Sequence, residues 1–218
     1  MNIHHKNKQK TGRKIGFLLL LSFGLIAAFV SFNKIQWFDL PIIIWVQSLE
    51  NSYLTEVMKF FTWIGSTKIV IAIIIITSII LYVLLKHRIE LVFFVIVIIG
   101  STALNNLLKV IFHRERPTIH RIIEETGYSF PSGHSMAAFT LYAMISFLLW
   151  KHLRSRFGRG LMILFATVMI LLIGISRIYL GVHFPSDVLG GYLASGVWFT
   201  LSVMIYQWYL ERRAKRNK

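Results

Sequence analysis

Cysteine is absent from the 218 residues, which excludes disulfides, thiol nucleophiles and cysteine-ligated metals. That absence carries no information about redox compartment. Acidic residues are scarce: nine Asp and Glu stand against 24 Lys and Arg, giving a formal charge of +15. No carboxylate cluster of metal-ligand type is visible, only Asp187 with Glu124 and Glu125 in nearby stretches. Internal repeats, low-complexity tracts and linkers are also missing, and the length suits one domain.

Apolar residues fill the space that these classes leave. They make up 56% of the chain, and the mean hydropathy is +0.64. A soluble domain of this size could not bury so much apolar surface. Charge-free runs occupy Ile15–Asn33, Ile69–Leu85, Leu91–Leu108, Ser135–Trp150, Gly160–Ser176 and Val188–Leu210. Each approaches the roughly 20 residues that cross the hydrocarbon core, and the shorter ones can borrow flanking residues. A buried soluble helix would account for any single run, but not for six in succession. The expected fold is therefore all-α, a bundle of six transmembrane helices.

The distribution of basic residues orients that bundle. The N-terminal stretch through Lys14 carries five Lys and Arg, "KHRIE" two, "KHLRSRFGR" four, and the tail "ERRAKRNK" five. These sixteen of the 24 fall on one side of a six-span topology. That side is expected to be cytoplasmic, with both termini inside. The plan is a basic N-terminus (1–14), a six-span domain (15–210) and a basic tail (211–218). The basic residues are expected to meet anionic headgroups of the lipid bilayer, not nucleic acid. The first run lacks a small-residue cleavage site and reads as a retained anchor. Segment 34–68 is rich in aromatics, and "SYLTEVMKFFTWIG" is amphipathic at helical spacing, so interfacial helices are expected on the outer surface.

Eight Lys and Arg remain for the outer side, against the topological preference. Lys109, Arg114, Arg116 and Arg121 crowd the connection between the third and fourth spans, and Arg177 sits past the fifth. Lys109 and Arg116 are seven residues apart, about two helical turns, which places them on one face if the helix continues. Pro117 would then end the element. Two such cations suit a doubly charged anion; equally, span-end Lys and Arg often just snorkel to water. His113 and Arg114 fall on other faces and are expected to be solvated.

In "PSGH", Pro131 and Ser132 read as a helix start with Ser132 at the cap. Free amides and the positive dipole end favour an anion there. Gly133 would let a ligand approach the backbone, and His134 follows where it can touch that ligand. An ordinary cap beside an interfacial histidine is the plainer reading. In "SRIYLGVHFPSD", Pro185 is expected to begin the sixth span, with His183 just before it and Asp187 in its first turn. A carboxylate there can orient a histidine, or can simply complement the helix dipole. Together the three stretches supply three cations, a helix N-terminus and two histidines at outer helix ends. Phosphoryl transfer through a covalent intermediate needs such a set: a nucleophile, an acid for the leaving oxygen, and positive charge for the equatorial oxygens.

The pattern K-x6-RP, PSGH and SR-x5-H-x3-D resembles the signature of the type 2 phosphatidic acid phosphatases. These are integral-membrane relatives of the vanadium haloperoxidases. Here it reads Lys109, Arg116-Pro117, Pro131-Ser132-Gly133-His134, and Ser176-Arg177, His183, Asp187, without a departure. The resemblance implies a lipid phosphatase with six membrane helices that needs no metal or other cofactor. It implies His183 as the nucleophile that forms a phosphohistidine, Asp187 as its orienting carboxylate, and His134 as the acid and then the base. Lys109, Arg116 and Arg177 would clamp the phosphate, with Ser132 and the Gly133 amide completing the cradle. Expected substrates at the outer face of the plasma membrane are phosphatidate, phosphatidylglycerophosphate or polyprenyl diphosphate from wall-lipid recycling. A soluble haloperoxidase is excluded by the six runs. A transporter would place ionisable residues and Gly/Pro breaks deep in its spans, and neither is evident. A phosphate- or lipid-binding protein without turnover would have no need of both histidines.

Overall fold

The computed structural model describes residues 3–216, and all regular structure within them is helical. The order is α1 (Ile3–Ser31), α2 (Gln36–Ser48), α3 (Ser52–Ile64), α4 (Thr67–Ile79), α5 (Arg88–Phe112), α6 (Gly133–Leu149), α7 (Arg156–Tyr179) and α8 (Pro185–Arg216). One π-helical turn, Ile80–Leu84, extends α4. Five segments are long and apolar enough to cross a bilayer: Lys10–Ser31, Thr67–Leu84, Arg88–Phe112, Arg156–Tyr179 and Pro185–Arg216. α6 is a shorter apolar helix of 17 residues and coincides with the fourth charge-free run.

Local chemistry sets the helix starts. Asn51 caps α3 by accepting from the Leu54 amide at 2.9 Å, and Ser155 caps α7 by accepting from the Gly158 amide at 2.9 Å. The aromatic-rich segment 34–68 folds as α2 and α3, as its periodicity suggests. α6 packs among α5, α7 and α8, while α1 lies along α8. Large side chains such as Phe17, Leu25, Ile99 and Phe165 point outward and are exposed, as suits helices bathed in lipid.

Small residues bring the helices together where the site forms. At Gly174 an added Cβ would lie 1.9 Å from the Tyr192 hydroxyl, which donates to the Ile170 carbonyl at 2.6 Å. At Gly190 an added Cβ would lie 2.4 Å from the Phe130 ring, and at Gly191 3.0 Å from the Ser132 carbonyl. The 130–132 stretch therefore presses directly onto α8, and the Ser132 amide donates to the Asp187 carbonyl at 3.0 Å. The start of α6 and the start of α8 are thereby joined. Ile43, Val46, Ile178, Leu180 and Val188 form a buried cluster that ties α2 to the same end of α7 and α8.

The end of α5 differs from the expectation. The helix stops at Phe112, four residues before Arg116, and His113 takes a left-handed conformation (φ 45°). Lys109 and Arg116 thus do not share a helical face. The turn at His113, not Pro117, breaks the helix, and Arg116 reaches the site from the loop that follows.

Candidate active site

Three elements converge at one end of the bundle: the end of α5 with its loop, the start of α6, and the α7–α8 junction. His183 occupies that junction, 2% exposed, two residues before Pro185 opens α8. Its Nδ1 lies 3.3 Å from Asp187 Oδ2 and 3.3 Å from the Ser129 hydroxyl. The contact follows from the start of α8, where Asp187 in the first turn reaches back to accept from the Phe184 amide and so lies beside the His183 ring. With Nδ1–H donating to the carboxylate, the Nε2 lone pair faces outward, where Arg116 Nη1 donates to it at 3.1 Å. Burial pushes the His183 imidazole down to about 4, although Asp187 pulls the other way; nearby Arg177 and Arg116 add to the fall. The ring is therefore neutral at physiological pH.

Asp187 is fully enclosed and its oxygens are divided between partners. Oδ2 accepts from the Phe184 amide at 2.8 Å and from Ser129 through a short hydrogen bond, besides facing His183. Oδ1 accepts from Arg114 Nη1 at 2.6 Å. Arg114 also donates through Nη2 to Asp39 Oδ2 at 2.7 Å and through Nη1 to the Ser186 hydroxyl at 2.7 Å. Its guanidinium lies 4.0 Å from the centre of the Phe184 ring. Arg114 is thus not solvated, as its face on an extended α5 would imply. Once the helix ends at Phe112 the chain turns, and Arg114 points inward between two carboxylates. His113 does remain exposed, edge-on to Tyr128 at 4.6 Å.

The cations are held differently from one another. Arg116 is buried and spans loop carbonyls: Gly127, Val182 and Thr126 each accept from it at 2.9 Å. Burial pushes its guanidinium down, while Glu125 and Asp187 hold it up, so it stays a cation. Arg177, 2% exposed, donates to Thr62 Oγ1 of α3 at 2.5 Å and forms a short ion pair with Glu125. Its Nε is buried without a partner among the described residues. Burial would push Glu125 up, but Arg177 and Arg116 outweigh it and bring its carboxyl below the usual range. Lys109, half-buried on the last turns of α5, lies within Coulombic reach of Arg116, Arg177, Glu125 and Asp187. His134 lies within the same reach of Arg177, His183, Lys109 and Arg116.

Ser132 is the N-cap of α6, accepting from the Ser135 hydroxyl at 3.0 Å and from its amide at 3.4 Å. Gly133 serves a different neighbour from the one expected. A Cβ there would come within 3.2 Å of Asn105 Oδ1, so its lack of a side chain first makes room for α5. Asn105 in turn donates to the Pro131 carbonyl at 3.1 Å and holds the PSGH turn in place.

All eight sequence-derived residues gather at this end of the bundle, with Lys109, Arg116 and Arg177 around the two histidines. Five further participants lie outside the sequence-derived set: Asp39, Ser129 and Thr62, with Arg114, expected to be solvated, and Glu125, given no role there. Asp39 carried the clearest signal, a lone acid in a helix that continues "LPIIIWV" and is 1% exposed. Among the described residues, no group of three or more His, Asp or Glu gathers to hold a metal. Chemically, the arrangement offers a neutral imidazole nitrogen surrounded by fixed cations beside a helix N-terminus.

Comparison with known proteins finds one family. The PAP2 superfamily model matches residues 90–212. The chain is 35% identical over 176 residues to phosphatidylglycerophosphatase B of Bacillus subtilis, covering 80% of this chain and 86% of that one. It is 37% identical over 106 residues to a putative undecaprenyl-diphosphatase, YbjG, of Escherichia coli, covering 44% and 47% of the two chains. Among solved structures, the transmembrane PAP2-type phosphatidylglycerolphosphate phosphatase of Bacillus subtilis superposes with a TM-score of 0.78 at 33% identity, covering 86% of this chain and 94% of that one. LpxE of Aquifex aeolicus shares the fold, with a TM-score of 0.60 at 24% identity over 76% of this chain and 94% of its own.

Proposed function

The chain belongs to the PAP2 superfamily, and from that premise we propose that it hydrolyses the terminal phosphate of a membrane lipid through a phosphohistidine on His183. The observation that carries this reading is the His183 ring itself. One nitrogen is committed to Asp187 and the other is neutral and faces Arg116, with Arg177 close by. In the first step His183 Nε2 attacks phosphorus and the bond to the lipid oxygen breaks. The alcohol leaves with a proton from His134. In the second, water attacks the phosphohistidine while His134 takes its proton, releasing phosphate and restoring the imidazole. Lys109, Arg116 and Arg177 carry the equatorial charge, with Ser132 and the Gly133 amide at the helix start. Fixed cations supply the electrostatic stabilisation that a metal supplies elsewhere, so the reaction is metal-independent.

The same reading places six spans in the plasma membrane, with α6 as the fourth, both termini cytoplasmic and the site on the outer face. It is supported by the basic residues at the far end of the bundle and by the cations needed at this one. The favoured substrate is phosphatidylglycerophosphate, the activity carried in the name of the relative that matches 80% of this chain. A polyprenyl diphosphate is the second reading, favoured by the likeness to the undecaprenyl-diphosphatase.

The test is purified protein against phosphatidate, phosphatidylglycerophosphate and undecaprenyl diphosphate, with ³²P in the terminal phosphate. Turnover with acid-labile labelling of the protein, lost in His183→Ala, is expected. Lipid binding without release of phosphate from any of the three would leave a binding protein in place of an enzyme.

A further inference from the structure

Asp187 is held from behind by two residues that lie outside the family signature. Arg114 Nη1 binds Oδ1 at 2.6 Å, which leaves only Oδ2 for His183, Ser129 and the Phe184 amide. Arg114 has no freedom to swing away. Asp39 holds its other nitrogen at 2.7 Å, and the Phe184 ring covers its face. Asp39 is itself fixed from α8: the Ser186 amide donates to Oδ1 at 2.9 Å and the Ser186 hydroxyl to Oδ2 at 2.7 Å. Asp39 and Asp187 are 1% and 0% exposed, so neither carboxylate has water to take the place of these bonds.

We propose that Arg114 and Asp39 are a positioning pair, which aims Asp187 at His183 and fixes the orientation of the imidazole. The proposal rests on His183 being the nucleophile. One guanidinium shared by two carboxylates partly offsets the charge of Asp187. Without it, Asp187 can rotate, and its full negative charge acts on the imidazole. The other groups facing His183 are Arg116, Arg177, Glu125 and His134, and none of them changes. Removing Arg114 therefore raises the affinity of His183 for a proton on two grounds: a nearby cation is lost and a carboxylate is uncovered. A purely structural staple between α2 and α8 would behave otherwise. Its loss would lower stability and leave the turnover of the folded protein and the His183 titration alone.

The experiment compares the full chain in detergent as wild type, Arg114→Gln, Arg114→Lys and Asp39→Asn. It reads kcat and KM on whichever lipid phosphate the wild type turns over, and the His183 titration by ¹⁵N-imidazole NMR. Arg114→Gln should lower kcat about 10- to 100-fold, by analogy with removing the hydrogen-bond partner behind a metal-bound histidine, with KM within about threefold. Its His183 should titrate at higher pH than in the wild type, and Arg114→Lys should recover part of both effects. Asp39→Asn, nearly isosteric, should lower kcat by less and leave His183 titrating no higher than in the wild type, because Arg114 keeps its charge on Asp187 and loses only its second anchor; its kcat carries the test should Arg114→Gln fail to fold. Unchanged kcat and an unmoved His183 titration in folded variants would overturn the proposal. So would a raised KM at constant kcat, which would make Arg114 a substrate contact. If the wild type turns over no lipid phosphate, the phosphatase reading falls, while the imidazole titration still decides whether the pair acts on His183.

Discussion

Replacing His183 by glutamine should flatten much of the acid sensitivity of the fold. His183 is 2% exposed, and burial holds its imidazole at about 4 against an ordinary value of 6.5. Between these two pH values the unfolded chain binds a proton that the folded chain refuses. Stability from this group is thus complete above pH 6.5 and is lost as pH falls toward 4. The gap, at 1.36 kcal/mol per unit, amounts to about 3 kcal/mol. At about 2–4 °C per kcal/mol for a chain of this size, the melting temperature should fall by roughly 6–12 °C more in the wild type than in the variant. The assay is thermal unfolding in one detergent at pH 7.5, 6.0, 5.0 and 4.0, read as the difference between the two proteins. The other titrating groups are common to both and cancel to first order. Parallel curves across the range would refute the claim that His183 is kept neutral by burial. A wild type less acid-sensitive than the variant would show the opposite, an imidazolium stabilised by Asp187.

His134→Ala should lose activity on lipid substrates yet recover part of it on p-nitrophenyl phosphate, whose leaving group needs no proton; equal loss on both would remove His134 from the acid role. Activity should survive excess EDTA, and a complete loss restored by Mg²⁺ would end the metal-free mechanism. Gly190→Val should destabilise the protein by about 1–3 kcal/mol, because its Cβ would start 2.4 Å from the Phe130 ring, and a melting temperature equal to wild type would contradict the packing described at α8. Reporter fusions at Lys86 and at the C-terminus should both read cytoplasmic, and an outer signal from either would reverse the proposed orientation.

The legible parts of this site were those whose partners lie within one helical turn. Ser132 as the cap of α6, Pro185 as the start of α8, and His183 just before that start with Asp187 in its first turn all follow from local geometry. The six apolar runs fall on α1 and α4 to α8, five of which are long and apolar enough to cross a bilayer. Two features escaped for physical reasons. α5 ends at His113 in a left-handed conformation without a glycine to announce it, so Arg114 and Arg116 were assigned to helical faces that do not exist. Asp39 and Arg114 lie 75 residues apart, and they meet only because α2 and the loop after α5 both pack onto the start of α8. The Arg177–Glu125 pair is hidden in the same way, across 52 residues.

That last pair means the site already contains an anion of its own. Arg177 is too deeply enclosed to stand uncompensated, and Glu125 serves as its resident counter-ion. A phosphate that takes this guanidinium enters by exchange, not by filling a bare charge. Its apparent affinity is then a difference between two ion pairs, and weakly charged anions gain little from the trade. Neutralising the resident group with Glu125→Gln removes the competitor and also the charge that keeps Arg177 in place, so binding and alignment need not move together. On the proposed phosphatase reading, loop 113–132, which carries both Arg116 and Glu125, is the component that sets how strongly an incoming anion must be charged to displace the resident one.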